Sequence, residues 1–351
     1  MIQVNNLSKT YKVAKRNAGM KEAMRSFFNK QYESIKALDN ISFTIGDGEM
    51  VGYIGPNGAG KSSTIKILSG ILTPDSGHCV IDGRVPWKDR VNHVKKIGVV
   101  FGQRSGLWWD VPVIDSFMLL KDIYDISDSV FKDSLDEMVT LLNLSEIIKT
   151  PTRQLSLGQR MRCEVAASLL HRPSILFLDE PTIGLDAVSK IAVRNFILEQ
   201  NKKHKTTVIL TTHDMQDIEA ITKRIMLIGK GKILLDGNLE DMKKQFGDTK
   251  KLSLDYTGTS NPSYNGLSLI EGFLSFDGLP SMEGVKVVSD DASNDMAGEK
   301  NGHAVLEVDT SMIKISSVIS LLEKEVEIKD ISIIDSSIDE VVVNLYKQYE
   351  I

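Results

Sequence analysis

Gly55-Pro56-Asn57-Gly58-Ala59-Gly60-Lys61-Ser62 follows the apolar run Met50–Ile54 and leads into the helical pattern Ser62-Ser63-Thr64-Ile65-Lys66-Ile67-Leu68. A GxxxxGK[ST] turn set between a strand and a helix is a phosphate-binding P-loop. Gly55, Gly58 and Gly60 are expected to let backbone amides close around phosphate oxygens, because side chains there would block the approach. Lys61 is placed to reach the β and γ phosphates of ATP, and the Ser62 hydroxyl to ligate Mg²⁺. Asn57, Ala59 and Ser63 complete the set of nucleotide-binding positions in the loop and first helical turn. The loop therefore predicts an α/β chain of the P-loop NTPase class.

Outward from the loop, Ile97–Phe101, Ile175–Leu178, Thr207–Leu210 and Ile225–Ile228 read as buried strands separated by helical patterns. Such alternation implies a mostly parallel sheet covered on both faces. Between Ile114 and Ile148 the pattern is purely helical, with Leu119, Leu120, Ile123, Leu135, Met138, Leu141 and Leu142 at spacings of three and four. A helical subdomain inserted at about residues 104–157 is expected. The strand at Ser174–Leu178 ends in Asp179 and Glu180, where an open sheet presents its ligand site. Beside a P-loop, Asp179 is expected to hold the metal through water and Glu180 to polarise an attacking water.

The charge is uneven along the chain. Of 351 residues, 42 are Lys or Arg and 47 Asp or Glu, a net charge of −5. Residues 247–351 hold 8 of the basic and 19 of the acidic residues, a local charge of −11, and no arginine follows Arg224. We place a domain boundary there, with an ATP-binding domain over 1–246 and an acidic α+β accessory or regulatory domain over 247–351. In the second part KLSLDY, VKVVS and AVLEV alternate as strands, SSVISLLEKEV and DEVVVNLYKQY read as helices, and the polar stretch Asp290–His303 reads as a loop.

Two cysteines far apart, Cys79 and Cys163, exclude a disulfide framework and point to a reducing compartment. The first fifteen residues lack the apolar run of a secretory signal, and no stretch approaches the ~18 apolar residues of a spanning helix. A cytoplasmic chain is expected, unless a partner holds it at a membrane. The acidic balance argues against a dedicated nucleic-acid binder.

Leu155-Ser156-Leu157-Gly158-Gln159, followed by Leu176-Phe177-Leu178-Asp179-Glu180-Pro181-Thr182-Ile183-Gly184-Leu185-Asp186, resembles the signature and Walker B segments of the ATP-binding-cassette (ABC) ATPases. The resemblance covers about residues 2–245. It implies that Gln103 is the Q-loop glutamine sensing Mg²⁺ and γ-phosphate, that Gly184-Leu185-Asp186 is the D-loop, and that His213 positions water and γ-phosphate. It also implies that Tyr11 stacks on adenine and that Ser156, Gly158 and Gln159 face the phosphates bound by a second copy. Leu157 stands where the family's usual signature has Gly.

By the same resemblance the chain is the ATPase subunit of a membrane transporter of the bacterial export type. It is peripheral at the inner face of the cell membrane and coupled to a separate permease. A single P-loop and a single LSLGQ imply a homodimer or heterodimer with composite sites. A soluble ATPase acting on nucleic acid or ribosomes, and a cassette whose tail binds carbohydrate cargo, are the alternatives. Tandem cassettes and long coiled-coil arms, which would favour the first, do not occur here, and no tryptophan follows Gly247 to serve the second.

Two segments stay open. Trp108 and Trp109, five residues beyond Gln103, suit either the permease interface or an internal anchor. Within residues 18–35, Met20, Met24, Phe27, Phe28, Tyr32 and Ile35 fall at helical spacing opposite Lys21, Arg25 and Lys30. That face covers the protein's own sheet edge or meets the permease or membrane.

Overall fold

A computed structural model of the chain describes residues 1–14, 32–102, 105–246, 249–258, 268–270, 273–275, 284–294, 300–335 and 337–351. It divides into two compact units, Met1–Leu239 with Ile351, and Glu240–Glu350.

In the first unit, β1 (Ile2–Ala14), β2 (Tyr32–Ile45) and β4 (Ser76–Ile81) form an antiparallel sheet in the order β2-β1-β4, with Ile2 opposite both Ile45 and Ile81. A second sheet of six strands runs β5-β6-β7-β3-β8-β9. Its members are β3 (Met50–Ile54), β5 (Ile97–Phe101), β6 (Ile175–Asp179), β7 (Thr207–Thr211), β8 (Arg224–Gly229) and β9 (Lys232–Asn238). All pairings are parallel except that of β8 with β9. The inner strands are buried along nearly their whole length, as continuous runs of Val, Ile and Leu require. Ile65, Ile67 and Leu68 of helix Lys61–Leu68 join residues of both sheets in one core, among them Leu7, Ile41, Phe177, Ile209 and Ile228.

Helices Val113–Ile123 and Asp128–Leu141 and the short 3₁₀ turn Thr152–Gln154 occupy the expected helical region. Val113, Ser116 and Phe117 supply the buried face of the first, while Met118, Leu119 and Ile123 are exposed. Sequence spacing alone grouped Leu119 and Ile123 with the core-facing positions, and here they turn outward.

Two other expectations are corrected. Tyr32 and Ile35 do not belong to a helix: they lie in β2, opposite Ala14 and Tyr11, and the rest of the proposed amphipathic segment lies outside the described residues. A spacing of three between two residues fits a helix and by itself does not exclude a strand. The stretch Asp290–His303 is not simply a loop, because β13 (Val285–Asn294) pairs with β14 (Lys300–Asp309) across it.

The second unit adds β10 (Thr249–Gly258), the short pair β11 (Ser268–Ile270) and β12 (Phe273–Ser275), and β15 (Val326–Ile334). Its antiparallel sheet runs β13-β14-β10-β15. Val318 and Leu322 of helix Ile315–Glu325 pack on Leu252, Leu254, Tyr256, Leu306 and Val308. Helix Ile338–Gln348 begins with a capping box in which the Ser337 hydroxyl accepts from the Glu340 amide and Glu340 answers to the Ser337 amide.

Two of the P-loop glycines also answer to packing within the fold. A Cβ on Gly55 would lie 2.2 Å from the carbonyl oxygen of Ile228 on the neighbouring strand β8, so a side chain is excluded there by sheet packing. At Gly60 the backbone has φ +118, and a Cβ would fall 2.5 Å from the Ala37 carbonyl oxygen. Gly55→Ala must therefore push β3 and β8 apart. We expect it to cost about 3 kcal/mol of unfolding free energy, read by urea denaturation of the full chain.

Candidate nucleotide site

β6, β7 and β3 are neighbours in register, with Asp179 directly opposite Thr211. Their C-terminal ends bring three loops together: the P-loop after β3, Glu180 after β6 and Thr212-His213 after β7. The ligand crevice of an open α/β sheet lies at such ends. A cleft of about 380 Å³ opens there, lined by Asn57, Ser62, Phe101, Gly102, Asp179 and Glu180.

Lys61 is only 6% exposed. Its Nζ donates to the carbonyl oxygens of Gly55 at 2.6 Å and Pro56 at 3.1 Å. Burial lowers its pKa below the ordinary lysine value, and the nearby charges of Glu180 and Asp179 oppose that shift. Among the described residues the ammonium has no direct carboxylate partner, an arrangement suited to an incoming phosphate. Asp179 Oδ1 accepts the Thr211 hydroxyl at 2.6 Å and the Ser62 hydroxyl at 3.4 Å. A carboxylate and a hydroxyl sharing one spot are hard oxygen donors of the kind Mg²⁺ takes. Gln103, the third expected metal contact, lies outside the described residues.

Glu180 adopts φ +57, a left-handed conformation that turns its side chain away from the strand direction of Asp179. Its Oε1 lies 2.8 Å from His213 Nε2, and its amide donates to the Thr211 carbonyl at 2.9 Å. Glu180 and His213 thus meet at the mouth of the cleft. Gly102 makes the turn possible, since a Cβ there would be 2.1 Å from the Glu180 carbonyl oxygen. The Tyr11 hydroxyl shares a hydrogen bond with Ser63 at 3.3 Å, which brings the ribbon β1 against the first turn after the P-loop.

Ser156, Gly158, Gln159 and Asp186 form a second cluster. Ser156 caps helix Leu157–Leu169, its hydroxyl accepting from the Gln159 amide at 3.2 Å while Gln159 Oε1 accepts from the Ser156 amide at 2.9 Å. Asp186 caps helix Ala187–His204 by accepting from the amide and hydroxyl of Ser189, bonds that hold its carboxyl below the usual range. Gly158 sits against that cap, where a Cβ would be 2.6 Å from Ser189 Oγ, and Leu157 leans over Gly184. Among the described residues no hydrogen bond joins this cluster to the one around Lys61.

Sequence reading missed Thr211, Gly102, Thr182, Thr212, Arg194 and Asp217. The first two touch Asp179 and Glu180 directly, and only the approach of β7 and β5 to β6 makes them visible.

Residues 38–183 match the family model described as ABC transporter. Linearmycin resistance ATP-binding protein LnrL of Bacillus subtilis (strain 168) is 33% identical over 232 residues, 65% of this chain and 73% of the relative. The chain belongs to the ABC transporter family. Its cassette is an ATPase of the kind that serves transporters as an ATP-binding subunit. The probable multidrug ABC transporter ATP-binding protein YbhF of Escherichia coli (strain K12) is 33% identical, over 62% of this chain and 37% of the relative. The post-hydrolysis dimer of the ATP-binding cassette MJ0796 with ADP and Pi superposes with a TM-score of 0.57 at 25% identity, covering 68% of this chain and 99% of that one.

The role expected of Glu180 is to polarise an attacking water, and its Oε1 stands 2.8 Å from His213 Nε2. Glu180→Gln is expected to retain ATP binding and to lower hydrolysis by ~10²–10⁴-fold, the usual contribution of a positioned base. Single-turnover hydrolysis and an ATP-binding titration check this, and wild-type turnover would remove Glu180 from the role.

Proposed function

We propose that the ABC cassette acts as a dimer, homomeric or heteromeric, that drives a separate integral-membrane permease from the inner face of the cell membrane in the direction of export. The observation that carries this reading is a set of exposed apolar side chains in the segment that follows the cleft-lining Gly102. Trp108 is 42% and Trp109 52% exposed, and Met118, Leu119 and Ile123 also face outward. A depression of about 260 Å³ is lined by Ile71, Arg90, Leu120, Tyr124 and His171. Large exposed aromatics are what a protein partner buries at its energetic centre. Among the described residues no helix is long and apolar enough to cross a membrane. The linearmycin-resistance and multidrug names of two relatives support export as the direction.

In this reading the P-loop amides of Asn57, Gly58, Ala59, Gly60, Ser62 and Ser63 and the Lys61 ammonium hold the phosphates of ATP, and Tyr11 stacks on adenine. Ser62, Asp179 and Gln103 would hold Mg²⁺, which supplies charge neutralisation for the phosphates. Glu180 takes the proton of water, and His213 holds the carboxylate in place through its contact at 2.8 Å. Among the described residues no hydrogen bond joins Ser156, Gly158, Gln159 and Asp186 to the cluster around Lys61, and in this reading they face the phosphates bound by the second copy. The acidic residues 247–351 serve as an accessory, regulatory domain.

Two measurements test the proposal. Mixing Ser156→Arg with Lys61→Ala should leave at most one working composite site per heterodimer, and specific ATPase activity should fall on dilution below the dimer range. Specific activity unchanged at dilutions where only monomer sediments would overturn the composite site. Trp108→Ala and Trp109→Ala should leave soluble ATPase activity and melting temperature near wild type, since both rings are exposed. Both should weaken co-purification with the proposed membrane subunit, by ~2 kcal/mol for a central anchor. Undiminished co-purification of both variants would remove the patch as the docking surface.

A further inference from the structure

Asp217 lies in helix Met215–Ile221, is fully buried, and takes no part in the contacts described so far. Its carboxylate gathers donors from three segments. Oδ2 accepts the hydroxyl of Thr182 in a short hydrogen bond and the hydroxyl of Thr212 at 3.3 Å. Oδ1 accepts from Arg194 Nε at 2.5 Å. Thr182 is two residues beyond Glu180, and Thr212 immediately precedes His213. Arg194 belongs to helix Ala187–His204, the helix that Asp186 caps, and the same helix sends Lys190 to Asp214 at 2.5 Å.

The Glu180–His213 contact is therefore held from two sides. At its root, Thr211 is joined to Asp179 and to the Glu180 amide. On the far side, the two loops part from the sheet and have no ladder between them, and Asp217 joins both through a pair of threonine hydroxyls. A buried carboxylate is stable only when its lone pairs are taken up by donors, and this one is met by two hydroxyls and a guanidinium. An amide in its place would leave the Arg194 guanidinium without its charged partner. The arrangement also ties the catalytic contact to the helix that carries the D-loop.

We propose that Asp217 is a positioning residue for ATP hydrolysis: through Thr182 and Thr212 it fixes the separation of Glu180 and His213. The proposal rests on the reading of Glu180 and His213 as the hydrolytic pair. Misplacing a reacting group by about 1 Å costs up to ~10²-fold in rate, whereas nucleotide affinity resides in the P-loop and is untouched by this clasp.

The test uses the full chain and spares the buried ion pair. Thr182→Val removes one hydroxyl and leaves Asp217 paired with Arg194. Its kcat should fall ~10- to 100-fold with ATP affinity unchanged within about twofold, and Thr182→Ser should restore kcat. In a Glu180→Gln background Thr182→Val should add no further loss, because the base it positions is gone. Thr212→Val provides the same readout at the other loop if valine at 182 impairs folding. Melting temperatures are measured alongside, because a purely structural bond would lower stability and leave kcat intact. Wild-type kcat in Thr182→Val and Thr212→Val, failure of serine to restore it, or a full additional loss in the Glu180→Gln background overturns the clasp. Wild-type turnover in Glu180→Gln itself instead overturns the reading beneath it.

Discussion

The parallel register of β6 and β7 is the constraint on which the site depends. Asp179 and Thr211 are paired across the two strands, and the Thr211 hydroxyl donates to the Asp179 carboxylate at 2.6 Å. Because the strands end at the same level, the residues just beyond them leave the sheet side by side. A slip of one residue would send Thr211 to the other face and separate Glu180 from His213. Continuous apolar burial of both strands opposes such a slip, so the core and the chemistry are secured by the same packing.

Electrostatics complete the arrangement. Lys61 is desolvated and held by the backbone carbonyl oxygens of Gly55 and Pro56, while Asp179 and Glu180 stand close enough to oppose the fall in its pKa. Opposite charges held near each other in a low-dielectric cleft without direct contact act on a charged ligand more strongly than the same charges in water. Neutral donors around Asp179 serve the same end, because Thr211 and Ser62 satisfy it without cancelling its charge. The cleft can thus bind a polyanion together with a cation.

What was legible in the sequence was what short segments determine by themselves. The P-loop and the strand limits at Met50–Ile54 and Ile97–Phe101 each depend on a few neighbouring residues. What was illegible depends on distant approach. Gly55 reads as a phosphate glycine until β8 is seen to carry the Ile228 carbonyl against it. Gly102 is an ordinary glycine until β6 delivers Glu180 to it. Asp217 looks like a solvated helix acid, since nothing near it in sequence announces Arg194 or Thr182. The β1–β2 ribbon was missed beyond Ile41 because its polar, alternating outer half is not distinguished from helix by periodicity over so few residues.

The interlock of Leu157 with Gly184 bears on how this chain can drift. Position 184 combines φ +70 with a leucine methyl only 2.8 Å from where a Cβ would stand. Where the family's usual glycine occupies position 157 that steric wall is gone, and only the torsional preference for glycine or asparagine remains at 184. The branched side chain at 157 adds to that preference a contact that a side chain at 184 must displace, and the tip of an exposed leucine yields more readily than backbone would. A change at 157 thus alters what position 184 tolerates, and the two positions are expected to vary together.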